Sequence, residues 1–198
     1  MSLPAVLPAR RVRKVDATRA RLFEAAIAEF RRVGLARANV ARIAREAGVS
    51  RPTFYFHFPT KGHVLLDLQL LEERALATRL DRARSLREAL HELAEGVIDL
   101  EARLGDAHLF RDMFAIYARR PAGLPIDDRP FPVVAALTRH FADAAARGEM
   151  RAGLEAEPAA RVCLTGLFGL MIGLPSAPSQ RRADFGLHFS LYLAEGER

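Results

Sequence analysis

The segment VARIAREAGVSRPTFYFHF, Val40 to Phe58, constrains the fold more than any other stretch of the chain. Ala41, Ala44 and Ala47 offer only methyl groups along one short helix, so a second helix can cross it closely. Gly48 supplies the residue that accepts positive φ in the turn between them. Asn39 is placed to cap the first helix and Ser50 the second, where Pro52 is tolerated because its missing N–H falls in the first turn. Val49 reads as a plug beneath the turn. Ile43, Phe54 and Phe58 are placed to pack the pair onto the preceding helix. Arg51, Pro52, Thr53, Tyr55, Phe56 and His57 then face outward, hydrogen-bonding and aromatic groups that a helix has little reason to expose. This is the anatomy of a helix-turn-helix.

The flanking sequence is helical throughout. Leu22, Phe23, Ala26, Ile27, Phe30 and Val33 recur at helical spacing behind a cap at Asp16 or Thr18, and Gly34 is placed to end that helix. Pro59 stops the helix that ends at Phe58. Thr60 caps a long helix from Lys61 to the low eighties, with Val64, Leu65, Leu68 and Leu71 on one face. Further helices are expected at 86–104, 107–119, 133–147, 157–174 and 181–193. Pro121 to Pro132, with four prolines in twelve residues, reads as a loop. The fold class is all-α: an N-terminal three-helix helix-turn-helix domain and a C-terminal helical bundle that dimerises. The boundaries drawn are 1–15 as a flexible basic arm, 16–62 as the helix-turn-helix domain and 63–198 as the second domain.

Charge is divided along the chain. Residues 1–63 hold 13 Lys and Arg against 4 Asp and Glu, while the remainder holds 17 against 20. A cationic end on a mildly acidic protein points to a polyanion as partner of that end, the alternative being a merely solvated basic face. The lone Cys163 excludes an intramolecular disulfide and suits a reducing cytoplasm. Pro4 and Pro8 break the N-terminal apolar run, so no secretory signal is read. The longest uncharged apolar run, Val162 to Leu174, is short of the ~20 residues that cross a bilayer.

At Ile43-Ala44, Ala47-Gly48-Val49-Ser50, Thr53, Tyr55, His57-Phe58 and Lys61, the sequence resembles the tetracycline-repressor (TetR) family of transcription regulators. The similarity runs from about Ala17 to Leu71, and Pro52 to His57 is close to the string of the tetracycline repressors themselves. Beyond it only the layout and a local match at Gly148-Glu149-Met150-Arg151 are shared. The resemblance implies that the helix from Ser50 to Phe58 enters the DNA major groove. Arg51, Pro52, Thr53 and His57 would then face base edges, Tyr55 and Lys61 would hold phosphates, and Phe56 would lie against sugar or a thymine methyl. Asn39 and Arg42 are reasonable phosphate ligands at the opening of the preceding helix, and Arg10 to Lys14 form an arm suited to the minor groove. Tyr55 and His57 also admit a purely structural reading.

In the second domain, Gly166, Gly169 and Gly173 share one side of a helix, with Ala159 and Cys163 continuing the small surface. Glycine inside a helix is destabilising unless a close contact compensates. Phe185, Phe189 and Tyr192 stand at i, i+4, i+7 on the last helix. Together these suggest a dimer interface, the alternative being the core of one chain. An effector pocket is read at His108, Phe110, Met113, Phe114, Tyr117, Leu137, His140 and Phe141, and its apolar lining favours a hydrophobic or aromatic small molecule.

No nucleophile elbow, phosphate-binding glycine loop, paired cysteines or metal-spaced histidines are found, so neither an enzyme nor a cofactor is expected. The reading is a homodimeric, ligand-responsive regulator, by default a repressor, on double-stranded DNA with a two-fold symmetric operator. Its rival is a sequence-independent nucleic-acid binder.

Overall fold

A computed structural model describes residues 9–105, 109–113, 115, 131–173 and 177–194, with side chains from Asp16 onward apart from Pro178. The named helices are α1 (Ala9–Arg37), α2 (Val40–Glu46), α3 (Arg51–His57), α4 (Lys61–Leu80), α5 (Leu86–Leu104), α6 (Pro132–Arg147), α7 (Ala156–Gly173) and α8 (Pro178–Ser190). Residues 109–113 are helical as well. Among the described residues there is no strand, only an isolated antiparallel bridge between Met150 and Leu193. The protein is all-α.

The helices form two compact units, Met1–Leu68 with Leu104–Pro121, and Gln69–Arg103 with Ala122–Arg198. α4 contributes its first eight residues, 61–68, to one unit and the rest to the other.

In the first unit, α1 begins at Ala9 rather than at Asp16 or Thr18, so the backbone of Arg10 to Lys14 is helical and not the flexible arm expected. Arginine, lysine and alanine are good helix formers, and nothing in that run breaks the hydrogen-bond ladder. Gly34, at φ +76°, interrupts α1 where the sequence placed its end. The Asn39 side chain accepts from the backbone N–H groups of Ala41 (2.9 Å) and Arg42 (3.3 Å), capping α2. Gly48, at φ +67°, makes the turn. Ser50 Oγ accepts from the Thr53 N–H to cap α3. Leu22, Ala26 and Phe30 of α1, Ile43 of α2, Phe54 of α3, then Phe58, Val64 and Leu65 are all buried and make the core of this unit. Leu71 was expected on the same face of α4 but is 55% exposed. The unit's share of α4 ends at Leu68, and with it the packing on that face.

In the second unit, α7 packs against both α6 and α8. Its buried residues Ala159, Ala160, Cys163, Leu167 and Met171 follow one helical stripe. Gly96 lets α5 lie close to α4, since a Cβ there would collide with Leu76. Ion pairs tie its helices together. Arg79 joins Glu92 and Asp99, Arg182 grips Glu95 with two bonds of 2.7 and 2.8 Å, and Arg181 pairs with Glu101. The Gly148–Arg151 match also gains a structural reason. Gly148 ends α6 at φ +72°, and the Arg151 N–H donates to the Tyr192 carbonyl while the Ala194 N–H donates to Glu149, both at 2.9 Å.

This packing corrects the reading of the dimer surface. Cys163, Phe185, Phe189 and Tyr192 are buried within their own chain. Tyr192 packs edge-on against Phe141 (5.6 Å) and His188 (5.3 Å). Gly166 is explained within the chain too: a Cβ there would collide with the His188 ring, whose Nε2 lies 2.9 Å from the Cys163 carbonyl. Gly169 and Gly173 are exposed, and a Cβ at either meets nothing within 4 Å. The periodicity found a real face, but its Cys163 and Gly166 meet the chain's own core, while Gly169 and Gly173 stay open.

Candidate nucleic-acid interface

α3 is seven residues long and buries only Phe54. Arg51 and Pro52 are exposed, Thr53 and His57 half-buried, and Tyr55 and Phe56 are 41% and 77% exposed. An exposed phenylalanine is costly in water without a partner to cover it. The outward set is the one read from the sequence. Ser50 and Thr53 share a hydrogen bond between hydroxyls (2.8 Å), and the Arg51 guanidinium stands 5.7 Å from the Tyr55 ring. Asn39 and Arg42 are also exposed, at the start of α2.

Two residues that position this surface were missed from sequence. The Arg19 guanidinium donates to the His57 carbonyl (2.6 Å), pairs with Asp67 of α4 and lies 4.3 Å over the Phe58 ring. It holds the C-terminal end of α3, where a cation is favoured by the helix dipole. Its partners are 38 and 48 residues away, so no local pattern announces it. Glu29 is the second. It is 5% exposed and accepts from Arg32 (3.0 Å, twice), from the Asn39 N–H (3.4 Å) and pairs with Arg42 (3.4 Å). The carboxylate thereby holds both the cap of α2 and an exposed arginine. Its signal was available: a charged residue seven positions after Leu22, on the apolar stripe of α1.

Lys61 requires a correction. Its ammonium donates to the carbonyls of Leu35 (2.7 Å), Ala36 (3.0 Å) and Ala38 (3.0 Å). All three of its N–H groups are engaged by the turn between α1 and α2, so it ties that turn to α4 rather than standing free for a phosphate. Burial, and then the Arg19 charge, lower the pKa of His57 from the usual histidine range, which keeps the ring neutral near pH 7.

Of the residues read as an effector pocket, two described ones lie in the first unit and three in the second. Phe110 and Met113 are buried in the first unit, and Leu137 and Phe141 in the second. His140 Nε2 lies 2.8 Å from the Leu80 carbonyl, closing the end of α4. His108, Phe114 and Tyr117 lie outside the described residues. A cavity of about 420 Å³ in the second unit is lined by Leu90, Phe185 and Phe189 together with His91, Glu95 and Arg182, and by none of those candidates. Among the described residues no cluster suited to a metal ion occurs, and no helix is long and apolar enough to cross a membrane.

A family model for bacterial regulatory proteins, tetR family, matches residues 22–68. Over 64 residues the chain is 42% identical to the HTH-type transcriptional repressor SCO4008 of Streptomyces coelicolor, a match spanning 32% of each protein. The alignment therefore covers about a third of that relative. The fold is similar to a structure solved for the control of antibiotic production by bacterial hormones, with a TM-score of 0.65 at 23% identity over 89% of this chain and 98% of that one. It is also similar to SmeT, the repressor of the Stenotrophomonas maltophilia multidrug efflux pump SmeDEF, with a TM-score of 0.62 at 23% identity over 93% and 94%. The complex of SmeT with triclosan gives 0.59 at 21% identity over 92% and 94%. The capped helix pair, its glycine turn and the matched segment make the N-terminal domain of this chain that of the tetR family of bacterial regulatory proteins.

Proposed function

We propose that the protein is a sequence-specific DNA-binding transcription repressor whose DNA affinity is set by a small molecule bound in the C-terminal part. Residues 16–62 carry DNA binding, with 1–15 adding positive charge, and residues 63–198 carry sensing and dimerisation. The observation that carries this reading is the outward face of α3, where Arg51, Thr53, Tyr55, Phe56 and His57 surround no core of their own on the cationic part of the chain. Arg51 can address guanine O6 and N7 bidentately, worth ~1–3 kcal/mol of discrimination. Tyr55, Asn39 and Arg42 hold phosphates beside it.

Dimerisation follows from the two-fold site such a helix needs, with recognition helices about 34 Å apart. The face that serves it is the exposed one: Val162, Gly169 and Ile172 on α7, with Leu187 and Leu191 at α8. Leu187 is 71% and Val162 61% exposed, and the open space over Gly169 and Gly173 admits the close approach of a second copy. SmeT in complex with triclosan supports an apolar or aromatic effector here.

Selection of a random double-stranded library on the purified protein tests the reading. Enrichment of a two-fold symmetric site is expected. Retention without any consensus would overturn it in favour of sequence-independent binding.

A further inference from the structure

α3 is under two turns long, and its two ends are seated by different means. Seven residues are too few for a helix to hold itself in water, and the last carbonyls of any helix lack intrahelical donors. At Phe58 the chain turns out of the helix, with φ −135° and ψ 98°. Pro59, which follows, has no N–H to give back. The donor to the His57 carbonyl comes instead from α1, where Arg19 supplies a bond of 2.6 Å.

One guanidinium joins three elements here. Its Nη1 donates to His57, its Nη2 pairs with Asp67 of α4, and its carbon lies 4.3 Å over the centre of the Phe58 ring. A planar fork with both arms engaged and a ring beneath it admits one placement. An ammonium, a point charge on a flexible stem, does not reproduce that fork. The end of α3 that Arg19 fixes is the end that carries His57. Burial, and then the same guanidinium, keep that ring neutral, while the charged group α4 brings to the cluster, Asp67, is engaged by Arg19. A neutral imidazole has one donor and one acceptor nitrogen, so it can tell base edges apart. A protonated one donates from both nitrogens and suits any phosphate.

Arg51 stands at the other end, where the Ser50 hydroxyl caps the helix. Six residues separate Arg51 from His57, about 9 Å along a helix. That exceeds two base-pair steps of about 3.4 Å each.

We propose that Arg19 is a positioning residue for base reading: it holds the His57 end of α3 in register with the DNA, and so sets preference at the base pairs His57 meets but not at those Arg51 meets. The inference rests on the sequence-reading function above and divides its site between two anchors, Arg19 and Ser50.

The random-library selection, repeated on variants of the full chain, tests it. His57→Ala first marks the base pairs that depend on that side chain. Arg19→Met keeps an apolar stem beside Phe58 and removes both bonds. It should lose about tenfold preference at the same pairs, with the remaining pairs within about twofold of wild type. Arg19→Lys restores the charge without the fork and should not rescue. The NMR titration midpoint of the His57 ring should also rise in Arg19→Met, because a neighbouring cation is gone. Where Arg19→Met folds poorly, Asp67→Asn loosens one arm of the fork and should show the same pair-specific loss at smaller size. A loss spread evenly over the site would make Arg19 merely structural and overturn the proposal. So would unchanged preference at the His57 pairs, full rescue by lysine, an unmoved midpoint, or wild-type preference everywhere in His57→Ala. Selection on wild type separates the two claims. A consensus that Arg19→Met leaves intact removes this inference alone, whereas no consensus with wild type removes the reading beneath it.

Discussion

α3 and α8 are both short and rich in aromatic side chains, yet they turn them in opposite directions. α3 buries Phe54 and leaves Tyr55 and Phe56 in solvent, while α8 buries Phe185 and Phe189 and leaves Leu187 exposed. The orientation of α3 is fixed locally. Ser50 caps its start, Gly48 turns the chain beside the buried Ala44 and Ala47, and Phe54 and Phe58 leave one way for the helix to sit. α8 has no side-chain cap, and its orientation comes from α7, where Gly166 receives His188. An aromatic stripe thus defines a face of a helix without saying which chain covers it.

The sharpest way to break that contrast is to truncate one aromatic from each helix. Phe185→Ala should cost ~3–5 kcal/mol, as expected for a fully buried ring, and the loss should not depend on protein concentration. Phe56→Ala should change stability by no more than about 0.5 kcal/mol while weakening DNA binding. Denaturant unfolding at two protein concentrations reads both. A concentration-dependent cost at Phe185 would return that residue to an interface between chains.

Lys61→Met comes next. Removing the donor from three carbonyls should lower stability by ~1–3 kcal/mol and leave the salt dependence of DNA binding unchanged. A slope flatter by about one phosphate would show that the ammonium leaves the carbonyls for DNA.

The glycines of α7 provide a contrast within a single helix. Gly166→Ala should destabilise by ~1–3 kcal/mol through overpacking against His188. Gly169→Ala should stabilise the isolated chain by ~0.5–1 kcal/mol, because helical glycine is costly and nothing occupies the space. Thermal unfolding of both variants checks the difference in sign. The Gly169 change should also weaken self-association.

The smallest effect concerns His57. Its pKa is lower in the folded chain than the free value of 6.5. Folding therefore favours the neutral ring, and that stability is present above about pH 6.5 and lost as pH falls through the folded value. The acid-side decline of Tm should flatten in His57→Gln, and an unchanged decline would place its cause elsewhere.

Much of the first unit was legible because its determinants lie close together in sequence. Asn39, Gly48, Ser50 and Phe54 act within a few residues of one another, and the structure gives each the local role its spacing implies. Lys61 was misread because its carbonyl partners lie 23 to 26 residues away, on a turn whose approach to α4 no periodicity encodes. Arg19 escaped for the same reason, its partners lying 38 and 48 residues away, whereas Glu29 stood in view as a charge on the apolar stripe of α1. In the second unit the helices themselves were legible from apolar spacing, α5 at both ends. Which side of α7 and α8 faced inward was not, since two apolar faces compete on each and only the mutual fit of Gly166 with His188 decides between them.

The central claim is that α3 reads DNA sequence. The most direct test is the affinity of wild type and Arg51→Ala, at one fixed salt concentration, for the selected duplex and for a scrambled duplex of equal length. Wild type should prefer its site by ~10³-fold or more, and Arg51→Ala should lose ~1–3 kcal/mol of that preference with its affinity for the scrambled duplex little changed. Equal wild-type affinity for both duplexes would contradict sequence reading by this protein, and an undiminished preference in Arg51→Ala would remove Arg51 from it.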